Sequence, residues 1–593
     1  MSIAFAAAGT RLCCGPQIAM VDLYCYCCVS GASTMALSRR RLMGMLAGGG
    51  AALLERGAEP GQIAELINAA ISTALTARGA EAAQETERDY RGAHTVGLRR
   101  LATGDYRGAV AFFEEFVKAN PNDAEGLFGL AAAAAHTGNL ARAMEAVQRA
   151  LAAGLPPARF VAGPRAWLAP LVESQAFQEL WRQRGAELVH GPMLGCVTDS
   201  AARFWVRTAA EAQVEVVVST SPQLEPLAAT AAARTARSDD FTTVLAVSGL
   251  RPDTAYHYAV RVGGKPAFTG PYPVFRTFPP PGGKARFQVG FGGGAAYYPP
   301  NERMWDTVLS HKPLAFLFLG DNIYIDAPQS PDLQRYGYYR RQSRPEFRRL
   351  TAATAIYAVW DDHDFATNDC IPGPAVDQPP WKPHVWRLFR ENWNNPAYGG
   401  GEKQPGCWFD FAIGDVDFFL TDSRYYRTDP RQPKPSMLGP AQKQWLLERL
   451  KASKATFKVL ANGVPWALGA KPRSRDTWEG YKEEREEIFA FIETHRIGGV
   501  VLLSADRHRS DLWRLERDVG YPLHEFESSR LTNQHVHGKV PGALFSYNEK
   551  QSFGLLTFDT TKPDPEVTYE IYSIDDERVH AFTLKRSQLT PRQ

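Results

Sequence analysis

Residues 356–359 (IYAV) form an apolar run that ends in Trp360-Asp361-Asp362-His363-Asp364. Four consecutive ionisable residues after such a run repel one another unless cations or hydrogen-bond donors offset them. The arrangement recurs along the chain. Residues 314–319 (LAFLFL) end in Gly320-Asp321, and 416–421 end in Asp422-Ser423-Arg424. Residues 457–461 end in Asn462-Gly463, and 500–504 in Ala505-Asp506-Arg507-His508. Continuous apolar runs suit strands buried on both faces of an α/β structure. In such sheets ligands gather beyond the carboxyl ends of strands. The five runs therefore predict one rim furnished with Asp, His, Asn and Arg.

Carboxylate and phenolate oxygens with imidazole suit hard or borderline cations such as iron, manganese, calcium or zinc. Gly320 lets the backbone turn tightly before Asp321, and Tyr324 offers a phenolate three residues on. Asp506 and His508 stand two apart, which on an extended segment aims both side chains the same way. A metal pair held by such groups polarises a phosphoryl oxygen and generates hydroxide at neutral pH. Arg424 would complement a phosphate with its planar fork, with Arg427 beside it.

Outward from this core, Pro279-Pro280-Pro281-Gly282-Gly283 reads as a linker. The segment before it, 190–278, changes to alternating patterns at 202–208, 213–219, 243–247 and 255–262, which fit a small β-sandwich. Residues 60–185 read as helical. Ile63, Leu66, Ile67, Ala70, Ile71 and Leu75 recur at helical spacing, and Gly104-Asp105-Tyr106 recurs 34 residues later as Gly138-Asn139-Leu140. Ala109 maps to Ala143, Phe113 to Val147 and Val117 to Leu151, a spacing similar to tetratricopeptide repeats. Two readings stand for these helices: a groove for a protein partner, or a spacer packed on the catalytic part.

At the amino end, Cys13, Cys14, Cys25, Cys27 and Cys28 match no familiar zinc spacing, and residues 1–34 are expected to lie upstream of the true start or to be disordered. From Met35, Ser38-Arg39-Arg40-Arg41-Leu42-Met43 and a 13-residue apolar stretch predict a twin-arginine export signal over 35–58, with a periplasmic or extracellular destination. No segment is long and apolar enough for a transmembrane helix. The chain has 593 residues, 44% hydrophobic and 22% charged, and a formal charge of only +3. Length and composition predict several folded domains. The small charge gives no electrostatic case for nucleic acid or an anionic membrane as the main partner.

With these motifs in order, the chain resembles the alkaline phosphatase D (PhoD-like) family of metallophosphoesterases. Gly320-Asp321-Asn322-Ile323-Tyr324 resembles the family's Gly-Asp-x-x-Tyr, and residues 360–369 its Trp-Asp-Asp-His signature. Residues 422–427 resemble Asp-x-Arg-x-x-Arg; Asp476, Trp478, Gly480 and Tyr481 resemble Asp-x-Trp-x-Gly-Tyr; and residues 504–508 resemble Ser-Gly-Asp-x-His, with Ala505 where Gly is usual. The β segment is similar to the family's amino-terminal immunoglobulin-like module. The resemblance covers about 190–585 and leaves the repeats outside.

It implies a multidomain chain: helical repeats, an immunoglobulin-like β-sandwich over 190–278, and an α/β metallophosphoesterase sandwich over 286–585. It further implies a dinuclear site, iron and calcium by family habit. Asp321 would bridge the ions, with Tyr324, Asp362, Asp506 and His508 as further ligands, and His363 near the leaving group. The expected activity is hydrolysis of a phosphate-ester substrate, monoester or diester. One departure stands out. The family begins this domain with Phe-Gly-Ser-Cys, whose Cys is an iron ligand, whereas this chain has Phe291-Gly292-Gly293-Gly294. Gly294 brings no ligand atom, so the first site is rebuilt, holds another ion or is weak, with Cys370 a candidate substitute. The alternative is a pseudo-enzyme or scaffold that binds a partner through the repeats and phosphorylated ligands at a degenerate site.

Overall fold

The computed structural model describes residues 94–298 and 300–591. The amino-terminal cysteines, the twin-arginine stretch and the first helical pattern at 63–75 lie outside the described residues.

The repeats form α1 (Thr95–Thr103), α2 (Tyr106–Ala119), α3 (Ala124–His136) and α4 (Leu140–Ala152). Asp105 and Asn139, which match across the 34-residue period, each cap the next helix by accepting a backbone N–H, from Gly108 and Arg142. The Ala-rich α3 is buried all round because α2 and α4 flank it, and Gly129 makes that possible. A Cβ there would lie 2.3 Å from the Phe113 ring. Short helices α5 (Ala158–Ala162), α6 (Arg165–Val172) and α7 (Gln175–Arg184) complete this layer.

Next come β1 (Leu188–Gly195), β2 (Ala201–Thr208), β3 (Gln213–Ser219), β4 (Ala229–Arg234), β5 (Thr242–Ser248), β6 (Ala255–Val262), β7 (Lys265–Pro266) and β8 (Val274–Arg276). They make two antiparallel sheets, β1-β2-β5 and β4-β3-β6-β7 with β8 on β6. Their apolar faces meet where Phe204 packs on Tyr258 at 4.5 Å and on Phe275 at 5.5 Å.

The carboxyl-terminal portion holds two larger sheets. In chain order its elements are β9 (Arg286–Gly292), α8 (Arg303–Ser310), β10 (Ala315–Leu319), α9 (Pro331–Gln342), α10 (Pro345–Ala353), β11 (Ala355–Val359), α11 (Asp362–Phe365), α12 (Lys382–Asn392), β12 (Phe409–Ile413) and β13 (Val416–Leu420). There follow α13 (Pro440–Ala452), β14 (Phe457–Ala461), α14 (Lys482–Thr494), β15 (Val500–Ser504), β16 (Ser510–Leu515), β17 (Leu523–Ser528), β18 (Phe545–Tyr547), β19 (Ser552–Asp559), β20 (Glu566–Ser573) and β21 (Arg578–Lys585). The sheets run β11-β10-β9-β19-β20-β21 and β12-β13-β14-β15-β17-β16-β18. Phe526 stacks on Tyr569 at 4.6 Å where they face each other.

All five apolar runs are strands, and β10, β11, β14 and β15 are buried at every residue. They do not share one sheet, however. β10 and β11 belong to the first, and β13, β14 and β15 to the second, so the rim is assembled where two sets of parallel strands end side by side. A bridge between Gly293 and Ser529 ties the sheets together at that rim.

The helical layer packs on this portion rather than standing clear of it. Tyr336 of α9 is buried in the core of the repeats and donates its hydroxyl to Glu125 of α3 at 2.8 Å. Glu125 also takes the buried Arg159 guanidinium at 3.1 Å.

Candidate metal centre

Local backbone demands set the rim. Gly320 leaves β10 at φ +102, and a Cβ there would lie 2.4 Å from that of Asp361. The next turn is held from α11, just beyond the neighbouring parallel strand β11. The Asp364 carboxylate accepts the backbone N–H groups of Asn322 (3.2 Å), Ile323 (2.6 Å) and Asp361 (3.1 Å), and the Asn322 amide at 3.2 Å. Asp364 thus orients the Gly320–Tyr324 turn and is no free ligand. Burial pushes its carboxyl up to about 7 in spite of these donors. Asp422 does the same for its own turn, accepting from Trp360 Nε1 (2.8 Å) and from the N–H groups of Arg424 (2.8 Å), Tyr425 (3.0 Å) and Cys407 (3.0 Å).

On this frame Asp321, Asp362 and His363 offer ligand atoms within 4.8 Å of one another. Tyr324 joins them, its hydroxyl donating to Asp321 Oδ2 at 2.9 Å. Asp321 Oδ1 is buried with no hydrogen-bond partner, as is Asp361 Oδ2. Burial, with Asp362, Asp361 and Asp364 nearby outweighing His363, drives the Asp321 carboxyl well above the usual carboxylate range. Burial alone would depress His363, yet Asp362, Asp321 and Asp326 hold it well above its ordinary value, with Nδ1 2.7 Å from Asp326 Oδ1. Crowded buried carboxylates with orphaned oxygens are what a cation would satisfy. A second group, Asp362, Asp369 and Asp476, has the same spacing and shares Asp362 with the first.

At three places the local geometry differs from the sequence expectation. Arg424 does not face a phosphate. It is fully buried and its fork is committed, with Nε on Asp361 Oδ1, Nη1 and Nη2 on Asp476, and Nη2 3.8 Å from Asp362. Arg427 is likewise buried on Asp476 at 2.6 Å. Opposed by burial but outweighing it, the two guanidinium groups hold Asp476 well below the carboxylate range. Asp506 and His508 do not lie on an extended segment. Their φ values are +69 and +47, and Arg507 N–H closes on the Ala505 carbonyl at 2.9 Å. Neither joins a ligand-spaced group among the described residues. His508 instead sits with His535 and His537, each ring 5.0 Å away. Burial pushes the Cys370 thiol up to about 12, and among the described residues no ligand-spaced group contains it.

The glycine departure has a structural account. A Cβ at position 293 would lie 2.6 Å from that of Ala505, and one at Gly294, at φ +72, would lie 2.9 Å from the Arg530 nitrogen. The Ala505 methyl and the Gly320 carbonyl oxygen thus occupy space that a side chain at 293 would need. Asp326, Asp369, Asp476 and Asn533, whose amide donates to the Tyr324 hydroxyl at 2.8 Å, went unassigned in the sequence. Their signal was weak: Asp369 and Asp476 stand in the quoted motifs, but nothing in the spacing says that both approach Asp362.

Three family models match the chain. The family model described as PhoD-like phosphatase matches residues 291–553, that described as tetratricopeptide repeat matches 97–157, and one described only as a domain of unknown function (DUF7800) matches 185–280. Alkaline phosphatase D of Bacillus subtilis (strain 168) is 26% identical over 314 residues, which span 44% of this chain and 52% of that protein. The match thus reaches about half the length of the curated relative. A solved structure of PhoD aligns with a TM-score of 0.58 at 18% identity, covering 68% of this chain and 90% of the other, a likeness of fold. The chain therefore carries a PhoD-like phosphatase domain, and a tetratricopeptide repeat region precedes it.

Proposed function

We propose that this chain is a metal-dependent phosphoric ester hydrolase, acting on monoesters or diesters at a two-cation site. The observation that carries the reading is the pair of ligand-spaced groups sharing Asp362, with Asp321 Oδ1 orphaned and buried between carboxylates. Asp321, Tyr324, Asp362 and His363 would hold or border one ion, and Asp362 and Asp369 the other, beside an Asp476 already shared by Arg424, Arg427 and Lys471. Iron and calcium are the ions the family resemblance implies, with the first the less secure because Gly294 stands where the Cys ligand would be. Cations bound there would polarise a phosphoryl oxygen and lower the pKa of water.

The chain's own groups supply the rest. The Tyr324 hydroxyl fixes one oxygen of Asp321 and leaves the other for a ligand. Asp326 takes Nδ1 of His363 at 2.7 Å, which would leave Nε2–H to protonate the departing ester oxygen. Arg424 and Arg427 act from beneath, fixing Asp361 and Asp476 and offsetting charge the carboxylates would otherwise share. Export by the twin-arginine route, read from residues 38–43, belongs to the same proposal. Among the described residues no helix is long and apolar enough to cross a membrane.

The test is purified protein loaded with iron, calcium, manganese or zinc and assayed on phosphomonoesters and diesters. Metal-dependent turnover that falls at least about a hundredfold in Asp321→Asn is expected. Turnover indifferent to metal and to that substitution would sink the reading. Two tightly held metals in elemental analysis would exclude the scaffold alternative.

A further inference from the structure

A cavity of about 300 Å3 opens beside the candidate centre, and one of its walls belongs to the repeats. Tyr324, Asp326 and His363 line it on one side, and His94 and Leu98, at the start of α1, on another. From α9, Arg340 reaches into the same space.

Arg340 is 6% exposed. Its guanidinium lies over the Tyr297 ring at 4.5 Å, which satisfies its face but not its N–H groups. Nε is buried without an acceptor, and no carboxylate of the described residues comes within ion-pair distance. The acids in electrostatic reach are already engaged. Asp123 Oδ1 takes His94 Nε2 (2.8 Å) and the Gly126 N–H (2.7 Å), while Glu125 holds Arg159 and the Tyr336 hydroxyl. Burial opposes its charge, but Tyr336, Glu125, Tyr297 and Asp123 hold it in place, and a planar fork is the group that recognises carboxylate or phosphate oxygens. Arg424 is saturated by acids, and Arg427 lies fully buried on Asp476 and away from this cavity's lining.

We propose that Arg340 is an anion subsite: it receives a second anionic group on the organic part of the substrate, while the reacting phosphoryl group sits at Asp321 and His363 and α1 walls the space between. The substrate class is then a phosphate ester bearing a further phosphate, phosphonate or carboxylate, with a spacer short enough for the cavity. This deepens the hydrolase reading and rests on it.

The experiment compares kcat/KM for ω-phosphonoalkyl phosphates of increasing spacer length with that for the matching alkyl phosphates. The wild type should favour the phosphono ester at one spacer length, and Arg340→Gln should lower that preference by about tenfold or more. Arg340→Lys should keep part of it, a point charge without the fork. A preference absent in the wild type, or unchanged in both variants, overturns the proposal. Thermal melting and metal content establish that each variant is folded and loaded. If the glutamine variant does not fold, the lysine variant alone decides by the same ratio. If the wild type turns over no ester, the hydrolase reading fails separately. Calorimetric titration with propane-1,3-bisphosphonate against methylphosphonate then reads the subsite directly. Tighter bisphosphonate binding that Arg340→Gln removes supports the subsite, and equal affinities overturn it.

Discussion

Arg424 shows how far a residue's surroundings decide its role. Its guanidinium is fully buried and holds two carboxylates at once, Asp361 and Asp476. Removing one partner of a buried ion pair strands the others in low dielectric, at a cost of about 3–5 kcal/mol. Arg424→Gln is therefore expected to lower the thermal midpoint sharply even in the absence of substrate, and calorimetry of the ligand-free protein checks it. A residue that merely touched phosphate would leave that midpoint in place. The motif Asp422-Ser423-Arg424 was legible as functional from its position after an apolar run. What the arginine touches was not, because Asp476 lies 52 residues away and burial has no mark in a local pattern.

At the scale of elements, the strand ends at 293 and 505 meet across the rim. Residues 505–508 were legible as the polar end of an apolar run, and the missing Cys at 294 as the loss of a ligand. That Gly293 and Ala505 face each other was not, since only the pairing of the two sheets brings them together. Gly293→Ser should overpack this contact and cost about 1–3 kcal/mol. Ala505→Gly in the same chain should recover part of it, since the clashing methyl is gone while the Gly320 carbonyl oxygen still lies 2.8 Å from the added Cβ. Additive losses in a double-mutant cycle read by denaturation would contradict the contact. The five apolar runs were recognised for the same reason that their sheet membership was missed. A strand buried on both faces is uniformly apolar, and that pattern carries no address for the neighbouring strand.

At the scale of the whole molecule, Glu125 fastens the repeats to α9. Burial works against its charge, but Arg159, Arg340 and Arg344, with the Tyr336 hydroxyl, bring its carboxyl down from 4.5 to about 2. A folded-state value below the unfolded one contributes stability above about pH 4.5 that is lost as the pH falls toward 2. Glu125→Gln should thus lower the thermal midpoint at pH 7, with the gap to the wild type narrowing as the pH falls from 4.5 toward 2. A gap independent of pH would contradict the ion pair as its source. The 34-residue period announced the helices and their caps, but not their docking, because Tyr336 belongs to a helix two hundred residues away. The shared cavity also has a thermodynamic reading. Since His94 and Leu98 line the space that His363 and Tyr324 line, any ligand that shifts α1 and any molecule that fills the cavity are linked. Whatever factor one imposes on the affinity of the other is returned in equal measure.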